Sequence, residues 1–294
     1  MSTSLDALNA ASRADFVAGL GGIYEHSPWV AEAVADKRPF ASLNALHEAM
    51  SGALRGADSG KQLALINAHP DLAGKAARAG TMTVDSKAEQ SSAGLDRLSE
   101  AEFATFQRLN GAYRAKFGFP FIVCVRRHTK DSIFRQFERR LTHDAAAERA
   151  TAVDEIVRIA ALRLDQHVSA PDKLKVHGRL STHVLDTHAG KPAQGMAFEL
   201  RELAATGEAR LIASGSTNAD GRSDAPLIGG RPLPIGAYEL RFAVGAYYAA
   251  RGVAAADPPF LDSVPLHFSI AEPEGHYHVP LIVTPWSYAT YRGS

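Results

Sequence analysis

The feature that most constrains this chain is a change of periodicity near residue 170. Before it, apolar residues recur at helical spacing. After it, short alternating or β-branched runs are separated by turn residues. No single secondary-structure class satisfies both patterns. The break therefore predicts an α + β multidomain chain: an N-terminal all-α helical domain over residues 1–168, a linker over 169–178 and a C-terminal β-sandwich over 179–294. A length of 294 residues agrees with two domains.

In the first half, TAVDEIVRIAALRLDQHV places Val153, Ile156, Val157, Ala160 and Leu164 on one helical face. SEAEFATFQRLNGAYRAKF repeats the period, with Ser99 as N-cap and Glu102 completing a capping box. The half reads as roughly eight short helices. The polar stretch SAPDKLKVHG breaks the helical period and carries a proline, as a linker would. Beyond it, LSTHVLDT, AFELREL, ARLIASGST, GAYELRFAV, VPLHFSI and HVPLIVTPWSYATY read as strands, and GAYYAARG as the one helix.

Composition narrows the function classes. The formal net charge is zero, so no long-range field favours nucleic acid or an anionic membrane. A single cysteine, Cys124, excludes an internal disulfide framework and a Cys-based zinc site. No apolar run approaches the length of a bilayer span, and the N-terminus lacks the basic-then-apolar pattern of a secretion signal. A cytoplasmic enzyme fits best, although composition alone fits a binding protein equally.

Three histidines stand out in the β half. Alternation puts His183 centrally in a strand with Ser181 and Leu185 on its face, and puts His276 and His278 together opposite Tyr277 and Val279. Singly, each reads as a half-buried, hydrogen-bonded strand residue. Together they suggest a metal site or a general acid/base pair. The scarcity of nearby carboxylates, with no HxxE or HExxH spacing, weighs against metal. Arg222, in the turn NADGRSD, is either a solvated loop residue or a planar fork for a carbonyl or oxyanion.

LSTHVLDTHAGKPAQG, DGR and HYHVPLIVTPWSYATYRGS together resemble the transthyretin-related 5-hydroxyisourate hydrolases, over essentially the whole second half. The resemblance implies a transthyretin-like sandwich in which His183, Arg222, His278 and Tyr291 are catalytic. His276 and the terminal Ser294 would contact substrate. It also implies a homotetramer formed through this domain, with sites at an interface. Hormone-carrying transthyretins share the fold without the histidine set or the YRGS end, which favours enzyme over carrier. The implied reaction opens a cyclic acyl–nitrogen bond and requires a base for water, donors for an oxyanion and an acid for the leaving nitrogen.

The strongest signal in the helical half is INAHPDLAGKAA. Pro70 suits a first helical turn, which would place His69 at an N-cap beside unpaired N–H groups that favour an anion. His69 is then either a cap or a functional group. Ser86 and Glu89 have the spacing of a capping box, which would give Glu89 a structural role. Arg163 falls on the inward side of its helix, where it either snorkels or binds an anion. FGFPFIVCV packs apolar residues around Pro120 and could form a pocket wall. These segments, with the SxxEQ stretch, resemble the 2-oxo-4-hydroxy-4-carboxy-5-ureidoimidazoline (OHCU) decarboxylases over nearly the whole helical half. The resemblance implies His69 as catalytic acid, with Glu89 and Arg163 completing the polar set. Pro70, Ser86, Gln90, Phe121, Ile122, Val123, Cys124 and Val125 would line the pocket. No cofactor or metal is expected. The implied substrates are 5-hydroxyisourate and OHCU, the product of the first reaction being the substrate of the second. A chain with one active domain and one scaffold remains an alternative.

Overall fold

The computed structural model describes residues 3–74, 82–253 and 256–293. It divides into two compact units, Met1–Arg126 with Ser132–Val176 and Arg127–Asp131 with His177–Ser294. Among the described residues no helix is long and apolar enough to cross a membrane.

The first unit contains helices α1 (Leu5–Ala10), α2 (Arg13–Leu20), α3 (Trp29–Glu32), α4 (Leu43–Arg55), α5 (Ser59–Ala68), α6 (Val84–Ser92), α7 (Glu100–Phe117), α8 (Lys130–Arg140) and α9 (Ala145–His167). Side chains of Ser4, Ser12, Ser42, Asp58, Thr83, Ser99 and Asp144 cap seven of them. The Ser99–Glu102 capping box forms as its spacing predicts, and Gly118 closes α7 in the left-handed conformation. α9 runs through the unit against α4 and α5, and Val153, Ile156, Val157, Ala160 and Leu164 are all buried. Each fully buried Val, Ile or Leu contributes roughly 1.5–3 kcal/mol, against ~1 kcal/mol for an N-cap. Packing of this face therefore outweighs capping in holding α9 in place. At 23 and 18 residues, α9 and α7 are longer than the short helices that the pattern suggested.

The stretch expected as a linker is tied into the first unit. Strand β2 (Val168–Ser169) pairs in parallel with β1 (Thr3–Ser4). The Asp172 carboxylate accepts the N–H groups of Leu43 (2.9 Å) and Asn44 (3.2 Å) at the start of α4. Leu174 and Val176 are buried in the helical core. Composition misses this because the apolar residues that dock are spaced among polar ones.

The second unit has two β layers. Strands β6 (Ala197–Leu203), β7 (Ala209–Ser216), β9 (Gly236–Phe242) and β10 (Val264–Ile270) form an antiparallel sheet in the order β10-β9-β6-β7. The other layer comprises two short sheets. One has the order β11-β3-β8, built from β3 (Gly178–Ser181), β8 (Ile228–Arg231) and β11 (His276–His278). The second has the order β13-β12-β4-β5, built from β4 (Val184–Asp186), β5 (Lys191–Pro192), β12 (Leu281–Val283) and β13 (Tyr288–Ala289). Inward residues of both layers, among them Phe198, Leu200, Leu240, Phe242, Leu180, Val184 and Leu281, make one core. GAYYAARG supplies helix α10 (Val244–Ala249), as its pattern suggested.

Candidate active sites

The helical site begins where α5 ends. His69 is the C-cap of that helix, with φ −78° and ψ 140°, and its N–H donates to Ile66 O. The expectation of a helix N-terminus and anion site at His69 is thus reversed: Pro70 follows a helix end instead of starting a helix. Residues after Pro70 form a turn in which Ala73 takes φ +50°. The turn is held by side chains. Gln90 Oε1 accepts the Ala73 N–H, Gln107 donates to Ala73 O, and Asn110 donates to Leu72 O. Lys75, Ala76 and Ala77 of the motif lie outside the described residues.

His69 is buried, and its Nδ1 lies 2.9 Å from Leu65 O. A carbonyl only accepts, so Nδ1 carries the hydrogen and Nε2 is left with its lone pair. Burial depresses the imidazole to a pKa of about 4, against the opposing effects of the Leu65 carbonyl and the Glu25 charge. The resting group is a neutral acceptor, and it becomes an acid only after taking a proton from the ligand.

Thr83 caps α6, so Ser86 lies inside the helix and the Ser86–Glu89 capping box does not form. Glu89 instead receives Arg163 Nε and Nη2 at 2.8 and 3.0 Å. Arg163 Nη1 reaches Glu25 Oε2 at 2.9 Å, and Thr83 and Ser86 hydroxyls also donate to Glu25. Glu25 was not legible as a site residue. Its signal is electrostatic: an arginine only 3% exposed requires carboxylate partners, and one beyond Glu89 is supplied from the loop before α3. Burial raises the Glu89 carboxyl despite Arg163, whereas at Glu25 the upward push of burial is overcome by Arg163 and the Thr83 hydroxyl, so its pKa falls. Arg163, engaged by two carboxylates, has no fork left for a substrate carboxylate.

His69, Pro70, Ser86, Glu89 and Gln90 line one cavity with Phe121, Ile122, Val123 and Val125, joined by Leu72 and Ile159. Cys124 and Arg163 are not on that wall: Arg163 supports Glu89 and Glu25 from within the core, and the Cys124 side chain is buried. The wall is fixed through its backbone. Arg140 Nη1 donates to Ile122 O at 2.6 Å, with the guanidinium 4.4 Å over the Phe121 ring, and the Cys124 N–H donates to Glu155 Oε2 at 2.8 Å. Between them the N–H and C=O of Val123 make no hydrogen bond among the described residues. A buried unpaired amide at a cavity wall is suited to a ligand amide or urea.

In the β unit, His183 does not sit mid-strand as alternation suggested. It occupies the break between β3 and β4 and bridges to Arg222. The turn carrying Arg222 is closed by Asn218 Oδ1, which accepts the N–H groups of Asp220 and Arg222. Gly221 has φ +71°, and a Cβ there would lie 2.3 Å from Val184 O, so only glycine lets the turn approach. His276 and His278 share the exposed side of β11 while Tyr277 and Val279 are buried, as expected. The His183 and His278 rings are 6.5 Å apart. Burial lowers the pKa of each, and the Arg222 charge lowers both further. Ser181, which the sequence did not single out, has its hydroxyl 3.0 Å from His278 Nδ1 and 3.3 Å from His276 Nε2.

The chain end runs beside this site. The Gly293 N–H donates to His278 O at 2.9 Å, and a Cβ on Gly293 would meet His278 Cδ2 at 2.7 Å. Arg292 lies 4.6 Å over the Tyr277 ring and 3.4 Å from Glu272, so it braces the terminus without entering the histidine cluster. Tyr291 is 57% exposed. Ser294 lies outside the described residues.

Fold and sites thus define a two-site protein, one site a buried neutral histidine beside carboxylates and the other a histidine–arginine cluster on a sandwich. Residues 9–165 match the OHCU decarboxylase family and residues 180–293 the HIUase/transthyretin family. The chain belongs to the OHCU decarboxylase family through its first half and to the HIUase/transthyretin family through its second. It is 46% identical over 167 residues to 2-oxo-4-hydroxy-4-carboxy-5-ureidoimidazoline decarboxylase of Haloferax volcanii, covering 57% of this chain and 97% of that protein. It is 54% identical over 117 residues to 5-hydroxyisourate hydrolase of Ralstonia nicotianae, covering 40% of this chain and 99% of that protein. The solved structure of (S)-allantoin synthase is similar over both halves, with 36% identity and a TM-score of 0.53, covering 99% of this chain and 100% of that one.

Proposed function

We propose that this chain degrades a urate oxidation product in two steps, hydrolysing 5-hydroxyisourate to OHCU in the second unit and decarboxylating OHCU to (S)-allantoin in the first. The observation that carries this is the presence of both sites on one chain that aligns from end to end with (S)-allantoin synthase.

In the decarboxylase site, the His69 Nε2 lone pair accepts the substrate hydroxyl, and the Val123 amide, unpaired among the described residues, meets the ureido arm or ring. The substrate carboxylate finds no free cation among the described lining residues, and Glu89 repels it. That repulsion vanishes as carbon dioxide leaves. The bonding pair passes into the ring C=N, whose nitrogen takes a proton from solvent, leaving a neutral enol. His69 takes the enol proton and places it on the adjacent carbon from one side, which sets the hand of the product. In the hydrolase site, Arg222 stabilises the oxyanion, and His183 and His278 exchange protons with water and the leaving nitrogen. Tyr291 closes the site in an oligomer. The exposed Trp286 and Tyr288, beside and on edge strand β13, support self-association into a homotetramer through this unit. The protein acts in the cytoplasm, without cofactor or metal, on small molecules and not on nucleic acid or membrane.

The test is circular dichroism after addition of fresh 5-hydroxyisourate. His69→Ala should accumulate OHCU, whereas His278→Ala should preserve the starting compound. Time courses unchanged from wild type in both variants would refute the assignment.

A further inference from the structure

The group shared by His276 and His278 is the hydroxyl of Ser181. Strands β3 and β11 pair in parallel with Ser181 opposite His278, and this register brings the hydroxyl within reach of both rings. A hydroxyl has one hydrogen to donate and lone pairs to accept, so it can receive from one imidazole while donating to the other. With His278 Nδ1 committed to Ser181, only Nε2 of that ring remains for a reacting molecule. His278 is half-buried, Ser181 is 8% exposed, and His276 lies at the exposed start of β11. The three groups lead from the site toward solvent.

We propose that Ser181 is a proton relay that couples His278 to His276 during hydrolysis; this rests on the hydrolase reading of the site. In the resting state His278 Nδ1–H donates to Ser181 Oγ, and the Ser181 hydroxyl donates to His276 Nε2. As water attacks the acyl carbon, His278 Nε2 takes its proton. The Nδ1 proton then passes to Ser181 Oγ, and the former hydroxyl proton passes to His276 Nε2. His278 is left neutral with hydrogen on Nε2, and the positive charge rests on His276. When the acyl–nitrogen bond breaks, His278 gives its Nε2 proton to the leaving nitrogen and the relay runs backward, restoring both rings.

The surroundings explain why charge is exported. Burial lowers the basicity of His278, and an imidazolium there would also face Arg222, His183, His276 and Arg179, which lower it further. Moving the charge to an exposed ring places it where water solvates it. A tautomer fixed by a hydroxyl also keeps Nε2 available although His278 Nδ1 bonds a hydroxyl and no carboxylate among the described residues.

The experiment uses the full chain with Ser181→Ala and Ser181→Thr. At low buffer concentration, Ser181→Ala should lose about tenfold in kcat for 5-hydroxyisourate, part of the ~100-fold or more that positioned proton transfer supplies, with KM little changed. Added imidazole should restore kcat in proportion to its concentration, and Ser181→Thr should retain most of the rate. A packing role for the hydroxyl would not respond to imidazole. Wild-type kcat in Ser181→Ala, or a loss insensitive to imidazole, overturns the relay. His278→Ala tests the underlying reading separately, because wild-type hydrolysis in that variant would remove the site itself from the reaction.

Discussion

Replacing Arg163 with methionine keeps the length of the side chain and removes the only cation between Glu25 and Glu89 among the described ion pairs. Glu89 is 16% exposed and can recruit some water, whereas Glu25 is 2% exposed at its side chain and, among the described residues, keeps only the Thr83 and Ser86 hydroxyl donors. The loss is therefore concentrated on Glu25. Breaking a buried ion pair from one side costs about 3–5 kcal/mol, and the two remaining hydroxyl donors favour the lower end. The pH dependence has a definite sign. In the wild type the Glu25 pKa lies below its ordinary value of 4.5, so its contribution is present above that value and is lost as pH falls through the depressed one. Without Arg163 burial dominates, the carboxyl rises, and protonation relieves the variant. Its deficit relative to wild type should be greatest near neutral pH and shrink toward pH 5. Urea unfolding of the full chain, followed by the helical far-ultraviolet signal at several pH values, measures this. Adding Glu25→Gln to the variant should recover about 1 kcal/mol or more by removing the unpaired charge. A deficit below about 1 kcal/mol at pH 7, or one that grows on acidification, would refute the account of this cluster.

Two further outcomes are expected. Because burial depresses His69 to about 4 from an ordinary 6.5, kcat/KM for OHCU should stay level down to about pH 5 and decline only below it. An acid limb with its midpoint near 6.5 in a pH–rate profile would show that His69 is not held neutral. Deleting residues 291–294 removes the segment that pairs Gly293 with His278, so hydrolysis should fall by about tenfold or more while decarboxylation on the same chain is spared. Equal hydrolysis rates for the shortened and full chains would show the terminus to be inert.

The class of each half was written in its period. Burial repeating every three to four residues places α9 against its neighbours wherever it docks, and Ser99 and Glu102 cap α7 from within four residues of sequence. His276 and His278 share a face because strand alternation is local, and Arg163 faces inward because helical phase is local. What tertiary structure decided was the partner of each group. His69 ends a helix because residues from α6 and α7 hold the following segment as a turn, which a proline-based local rule cannot foresee. Glu89 turns from a cap to Arg163 because Thr83 takes the cap, and Glu25 joins Arg163 from 138 residues away. Ser181 meets two histidines only through the pairing of β3 with β11. Local periodicity sets which side chains face inward. Their protonation, hydrogen-bond direction and chemical role depend on groups brought together across the fold, and no spacing rule encodes those distances.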